Sequence, residues 1–204
     1  MKKALFLYLL ITHVIIFSAI AGPAAATPVD TLESSVLSYI RHGFYDSIES
    51  HAQTNKMIEF IESNFPESYI HGEPVLLAYY GVLNALKAKH VFSPFSKISY
   101  LRSALRKLNE AAVNGESNLE VRFLRFSVLH NMPSFLGYRE TLREDTNAVY
   151  ELLVVDRKYT DMEPDMARDV IEFVIDSKRL SQDRQQEMEL LAQRLEAHEQ
   201  LSLD

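Results

Sequence analysis

The chain of 204 residues contains no cysteine. That excludes disulfide bonds and a lipid-modified N-terminal cysteine, so whatever fold it adopts is held by core packing alone. Glycine and proline are scarce, at 6 and 7 residues. An all-β sandwich needs a turn roughly every 8 to 12 residues, and punctuation this sparse, with little β-branched alternation, points to helices instead. No Asn-x-Ser/Thr sequon, His-Glu-x-x-His pair, Gly-x-Ser-x-Gly or glycine-rich phosphate loop occurs. Zinc hydrolysis, serine-nucleophile chemistry and nucleotide binding therefore have no motif behind them. The histidines His13, His42, His51, His71, His90, His130 and His198 are scattered, which leaves a metal or any other cofactor without support.

What is present begins at the N-terminus. Lys2 and Lys3 precede an apolar run from Ala4 to Ile20, which breaks at Gly22-Pro23 and leads to Ala24-Ala25-Ala26. This is the layout of a secretory signal peptide, residues 1–26, with the mature chain opening at Thr27. Ala19-Ile20-Ala21 is a competing cleavage site. The alternative is an uncleaved anchor, since the run sits at the short edge of spanning length, but Thr12 and His13 interrupt it. No second long apolar stretch follows. The expectation is an exported protein, periplasmic or secreted, with no membrane span after cleavage and one domain over residues 27–204.

The spacing predicts about eight helices. Asp30 with Glu33 forms a capping box for a first helix carrying Leu32, Val36, Leu37 and Ile40, stopped near Gly43. A second spans about Tyr45 to Phe65, with the polar stretch Gln53-Thr54-Asn55 in its middle and Pro66 after it. Pro74 suits the first turn of a third, which runs toward Lys89. From Ser96 the stripe Ile98, Leu101, Leu105, Leu108 and Ala112 marks a fourth, ended by Asn114-Gly115. Asn118 caps a fifth that is apolar on nearly every side, the expected centre of the core. A sixth covers about Arg139 to Val155, a seventh starts near Pro164, and Ser181 opens an eighth. That last segment, residues 181–204, reads as a C-terminal capping helix or as a helix awaiting a partner, which would make the chain an oligomer.

The fold class is thus all-α, in consecutive antiparallel pairs, either a degenerate tetratricopeptide-like stack or an irregular helical bundle. Leu77, Tyr80 and Gly81, then Ala104, Leu108 and Ala111, resemble the small-residue approach positions of tetratricopeptide repeats, whose unit is about 34 residues. The stretch Leu77 to Tyr138, with Ser93-Pro94-Phe95, Leu119 to Arg125 and Asn131 to Tyr138, resembles an uncharacterised bacterial family of small exported helical proteins. The resemblance implies a helical fold and an envelope address, and no mechanism.

Charge is unevenly placed. The chain carries a net −7, yet no Asp or Glu occurs from Pro74 to Asn109, while Lys87, Lys89, Lys97, Arg102, Arg106 and Lys107 do. Such a basic face attracts an acidic envelope protein or peptide, an anionic glycan or lipid headgroups. The plainer reading is that the acidic flanks of the chain lie against it. Nucleic acid does not fit an acidic exported chain with one short basic patch. Arg122 and Arg125 stand three apart on the apolar fifth helix and need satisfaction, either from carboxylates such as Glu144 and Asp145 or from an anion in a groove lined with Tyr79, Tyr80 and Tyr138. The apolar connector Met132 to Tyr138 is expected to tuck Phe135 and Leu136 under the core. Glu59 with Glu62 and Asp165 with Asp169 read as solvated helix faces. The leading expectation is a non-enzymatic protein-interaction module using the third to sixth helices. Its alternatives are a small-ligand binder or unrecognised enzyme at the arginine and tyrosine groove, and a helix-mediated oligomer.

Overall fold

A computed structural model describes residues 32–202, with side chains through residue 197. The expected signal peptide and Asp30 lie outside the described residues. Among the described residues there are nine α-helices and no strand: α1 Ser34–Ser47, α2 His51–Asn64, α3 Glu67–Gly72, α4 Pro74–His90, α5 Pro94–Asn114, α6 Leu119–His130, α7 Arg139–Tyr150, α8 Pro164–Ser177 and α9 Gln182–Ser202. The helix α7 runs on into a π turn, Glu151–Val155, and short 3-10 turns cover Ser134–Leu136 and Lys158–Asp161. The fold is all-α and is an irregular helical bundle.

Local chemistry sets most of the boundaries. Pro74, Pro94 and Pro164 each open a helix, where the missing N–H would have had no partner in any case. Ser50, Ser93 and Asn118 cap α2, α5 and α6 by accepting from the backbone N–H of Gln53, Ser96 and Val121 at 3.2, 3.4 and 3.1 Å. Gly115 closes α5 by donating to the Ala111 carbonyl at 2.8 Å. Lys178 ends α8 at φ +51°, a left-handed position that glycine usually fills.

Three expectations are corrected. Gly43 does not end the first helix; α1 continues through it to Ser47. The break falls at Ile48 to Ser50, so Gln53-Thr54-Asn55 forms the first turn of α2, where the Thr54 hydroxyl is buried and donates to the carbonyls of Ser47 and Ser50 at 3.0 and 2.9 Å. Pro66 both ends α2 and opens α3, a six-residue helix that apolar periodicity is too short to reveal.

The third correction concerns the centre of the core. The helix most surrounded by others is α4, which packs on α1, α2, α3, α5 and α6. It buries Leu76, Leu77, Ala78, Tyr79, Val82, Leu83 and Ala88, and α6 shares the centre rather than holding it alone. At Gly81 a Cβ would sit 2.9 Å from Leu108 and 3.3 Å from the Ala104 carbonyl. The two sets of small residues read as repeat positions therefore face each other across one close contact. Pro74 lies against Gly115 at one end of this pair, and the Lys87 ammonium sits over the Tyr100 ring near the other, so α4 and α5 are antiparallel. Further along, α6 packs on α7, and α9 covers α8 and the π turn through buried Met188. No described helix is long and apolar enough to cross a membrane.

Gly43 marks the tightest approach of α1 to α2, because a Cβ there would overlap the buried Met57 side chain. Gly43→Ala gains about 1 kcal/mol of helix propensity within α1 but forces the buried Met57 side chain to shift at a cost of about 1–3 kcal/mol, so a net destabilisation of up to about 2 kcal/mol is expected. Gly72→Ala, where a Cβ meets nothing within 4 Å, should be neutral or mildly stabilising. Urea midpoints of the two variants measure the contrast.

Candidate functional site

The basic stretch divides once its side chains are placed. Lys89 is neutralised: it contacts Glu49 at 2.9 Å and donates to the Ile48 carbonyl at 2.8 Å. Lys107 is half-buried, sits 4.6 Å from the centre of the Tyr80 ring and donates to Ser103. Burial, and then the neighbouring Arg106, hold its pKa below the ordinary lysine range. Lys97, Arg102 and Arg106 are exposed and have no ion partner among the described residues. The acidic flanks thus complement part of the basic stretch and leave three cations of α5 open. Phe95, Ile98 and Val113 are exposed on the same helix. With Arg102 and Arg106 they follow the spacing that places side chains along one helical stripe.

Arg122 and Arg125 converge on one carboxylate. Arg125 grips Asp145 with two donors, at 2.7 and 2.6 Å, and reaches Asn109 at 3.1 Å. Arg122 donates to the same Asp145 at 3.2 Å and to the Glu116 carbonyl at 3.0 Å. Asp145 is 0% exposed, whereas Glu144 lies at the surface. Tyr79 and Tyr80 are turned elsewhere, donating to Glu120 and to Glu62, each at 2.5 Å. Tyr138 is partly buried against the core. The tyrosines therefore do not gather with these arginines around a common space.

A second buried charge was not foreseen. Glu120, on the first turn of α6, accepts from Arg41 of α1 at 2.8 and 2.6 Å and from Tyr79 of α4 at 2.5 Å. Three of its roughly four acceptor positions are filled. The Glu120 hydrogen bond outweighs burial and raises the Arg41 pKa, while burial, reinforced by Glu120, pushes Tyr79 well above its ordinary value. Tyr79 is thereby held as a neutral donor and Arg41 as a permanent cation. Beside them Tyr45 is raised by burial and then by Asp169 of α8, whose own carboxyl is raised by burial. A cleft of about 610 Å³ opens next to this network, walled by Arg41, Glu120, Pro74, Asn118, Lys158 and Met162. Arg41 also approaches Glu163 at 3.9 Å, and Lys158 contacts Asp161 at 3.4 Å, while Glu73 and Glu116 line the cleft without an ion partner among the described residues.

No known protein family, curated protein or solved structure matches this chain.

The remaining candidates are dispersed. Phe135 is 83% exposed on the α6–α7 connector, contrary to the expected tucking, because the 3-10 turn and Gly137 at φ +85° swing it outward. Leu136 is half-buried. Asp165 contacts Arg168 at 3.3 Å. His71 pairs with Glu110 at 2.6 Å, and His51 stacks on His90 with ring centres 5.3 Å apart. Among the described residues no three His, Asp or Glu side chains come together as a metal site. The signal that could have exposed the Arg41–Glu120 pair was present: Glu120 is the sole acidic residue within the apolar helix Leu119–His130.

Asp145→Ala leaves two guanidinium groups without their shared carboxylate and is expected to cost about 3–5 kcal/mol, as for breaking a buried pair. Chemical denaturation measures it, and a loss below about 1 kcal/mol would mean that solvent reaches the arginines. A second expectation concerns pH. His90 is held below its ordinary 6.5 by burial, then by His51 and Lys89, and its buried Nε2 has no hydrogen-bond partner. The unfolded chain therefore takes up this proton more readily. The stability contribution is complete above pH 6.5 and is lost as pH falls through that value toward the depressed folded one. Thermal midpoints of the wild type should fall more steeply between pH 7 and pH 5 than those of His90→Gln.

Proposed function

We propose that this chain is an exported, non-enzymatic binding module whose working surface is the outer face of α5, and that its partner is an acidic envelope protein or peptide. The observation that carries the reading is Arg102 and Arg106, on the outer stripe with Phe95 and Ile98, together with Lys97 on another side of the helix's first turns. All three cations are exposed and without ion partners among the described residues. They lie in a stretch with no carboxylate from Pro74 to Asn109. A protein with a net charge of −7 could readily have neutralised them, as it does Lys89 with Glu49. Unneutralised arginines beside exposed apolar side chains have the composition of a recognition surface, in which Arg and aromatic residues carry much of the binding energy. Long-range attraction of an acidic partner follows from the same charges.

The export half of the proposal rests on Lys2 and Lys3, the run Ala4 to Ile20 and the small residues Ala24 to Ala26. Arg122 and Arg125 enter this reading as structural residues. Their donors are directed at Asp145, Asn109 and the Glu116 backbone, and Asp145 has no solvent exposure.

The test is charge reversal. Lys97→Glu, Arg102→Glu and Arg106→Glu together should leave the helical circular dichroism and thermal midpoint nearly unchanged, because exposed charges contribute within about 0.5 kcal/mol. The same triple variant should lose a partner cross-linked in the envelope, a partner that the wild type releases at high salt. A partner list identical for wild type and variant overturns the proposal.

A further inference from the structure

The α4–α5 turn presents apolar side chains to solvent. Between His90 and Pro94 lie only Val91, Phe92 and Ser93. Phe92 is 100% exposed and Phe95 is 86% exposed, with Ile98 exposed one turn further on. These rings are not carried on a slack loop. Ser93 caps α5 and Pro94 fixes the backbone of its first turn, so the turn holds Phe92 and Phe95 outward.

The exposed charge on the α5 side of the turn is basic. Lys97 sits in the first turns of α5, exposed and without an ion partner among the described residues. Arg102 follows about 10 Å along the axis from Phe95, at about 1.5 Å per residue. Lys87 lies over Tyr100 on the α4 side. Glu49 of the α1–α2 connector is engaged by Lys89 at 2.9 Å, while Asp46, in the last turn of α1, is exposed. The apolar tip is therefore flanked on its α5 side by free cations.

We infer that this tip inserts into an anionic lipid surface, the two phenyl rings entering the boundary between headgroups and acyl chains while Lys97 and Arg102 meet the phosphates. Rings of this kind enter to about 5–10 Å, which matches the position of the cations behind them. A lipid leaflet fits better than a protein as the occupant of the tip. Two phenylalanines bury at most about 150–250 Å² each, short of the roughly 800 Å² per partner of a stable protein interface. Phe92 is also fully exposed, and a bilayer accommodates such a ring without needing a matched cavity. Arg106, about 16 Å from Phe95 at 1.5 Å per residue, stands about 6 Å behind Arg102, within a Debye length of about 8 Å of the phosphates, and adds a weaker attraction without contacting them. This inference goes beyond the acidic protein partner proposed for the α5 face and does not depend on it.

The chain contains no tryptophan, so Phe92→Trp in the full chain places a single fluorophore at the tip, and Val113→Trp places one at the far end of α5. With vesicles of phosphatidylcholine and phosphatidylglycerol, the emission of the tip reporter should shift to the blue and be quenched by lipids brominated in their acyl chains. The Val113 reporter should do neither, and phosphatidylcholine alone should give a much weaker response. Adding Lys97→Glu and Arg102→Glu to Phe92→Trp should weaken vesicle partition about tenfold or more, whereas adding Arg106→Glu alone should weaken it less. Unshifted and unquenched tip emission, from a variant with wild-type circular dichroism, overturns the inference. Equal quenching of both reporters overturns it too, as does a shift with poly-glutamate but none with vesicles, which would give the tip to an acidic protein. Because the readout is local, a vesicle response of the N-terminal run does not imitate it, and loss of the protein partner leaves it unchanged.

Discussion

Two buried carboxylates fix where α6 lies in the bundle. Glu120 ties its first turn to Arg41 of α1 and Tyr79 of α4, and Asp145 of α7 receives Arg122 and Arg125 from its middle. A helix that is apolar on nearly every side can slide or rotate against its neighbours with little change in buried area. Charged groups cannot follow such a movement, since each would lose hydrogen bonds in a place where water does not replace them. In a chain without disulfides, this demand for pairing selects one rotation and one register of α6 among the many that apolar packing alone would tolerate.

The same logic explains why the arrangement gives position rather than surplus stability. Buried ion pairs gain Coulomb attraction but lose hydration, and the two terms largely cancel. The stabilising bulk comes from the apolar residues of α4, α5 and α6 and from the tight approach at Gly81. The free cations of α5 belong to a different regime. They sit in water, where a lack of partners costs almost nothing, and so remain available to something outside the chain.

Features encoded within a few residues were legible in the sequence. Pro74, Asn118, Gly115 and Pro164 act on backbone groups one to four positions away, and the structure uses each at the helix end where it was read. Gly43 was not legible, because a glycine that stops a helix and one that admits Met57 look alike until the neighbouring helix is placed. The need of Arg122 and Arg125 for a carboxylate could be read from their apolar surroundings, and Asp145 was one of two candidates named. Glu120 stood out as the sole acidic residue of its apolar helix, but Arg41 went unread as its partner because 79 residues separate the two and Arg41 is ordinary within its own window. The open cations of α5 were visible as a charge imbalance, but which of the six would stay unpaired depended on where Glu49 and Tyr80 came to rest.

The span between Arg41 and Glu120 also orders events in time. Neighbouring helices such as α4 and α5 pack across a connector of three residues, so they meet with little loss of chain entropy. The Arg41–Glu120 clasp has to wait until five later helices have left whatever carries the chain forward. In a chain delivered N-terminus first, neighbouring pairs can therefore form before the clasp, and until α6 arrives α1 holds an unpaired guanidinium that favours keeping that face in water. The clasp is in this sense a completion signal: the first helix is sealed only once the sixth has arrived.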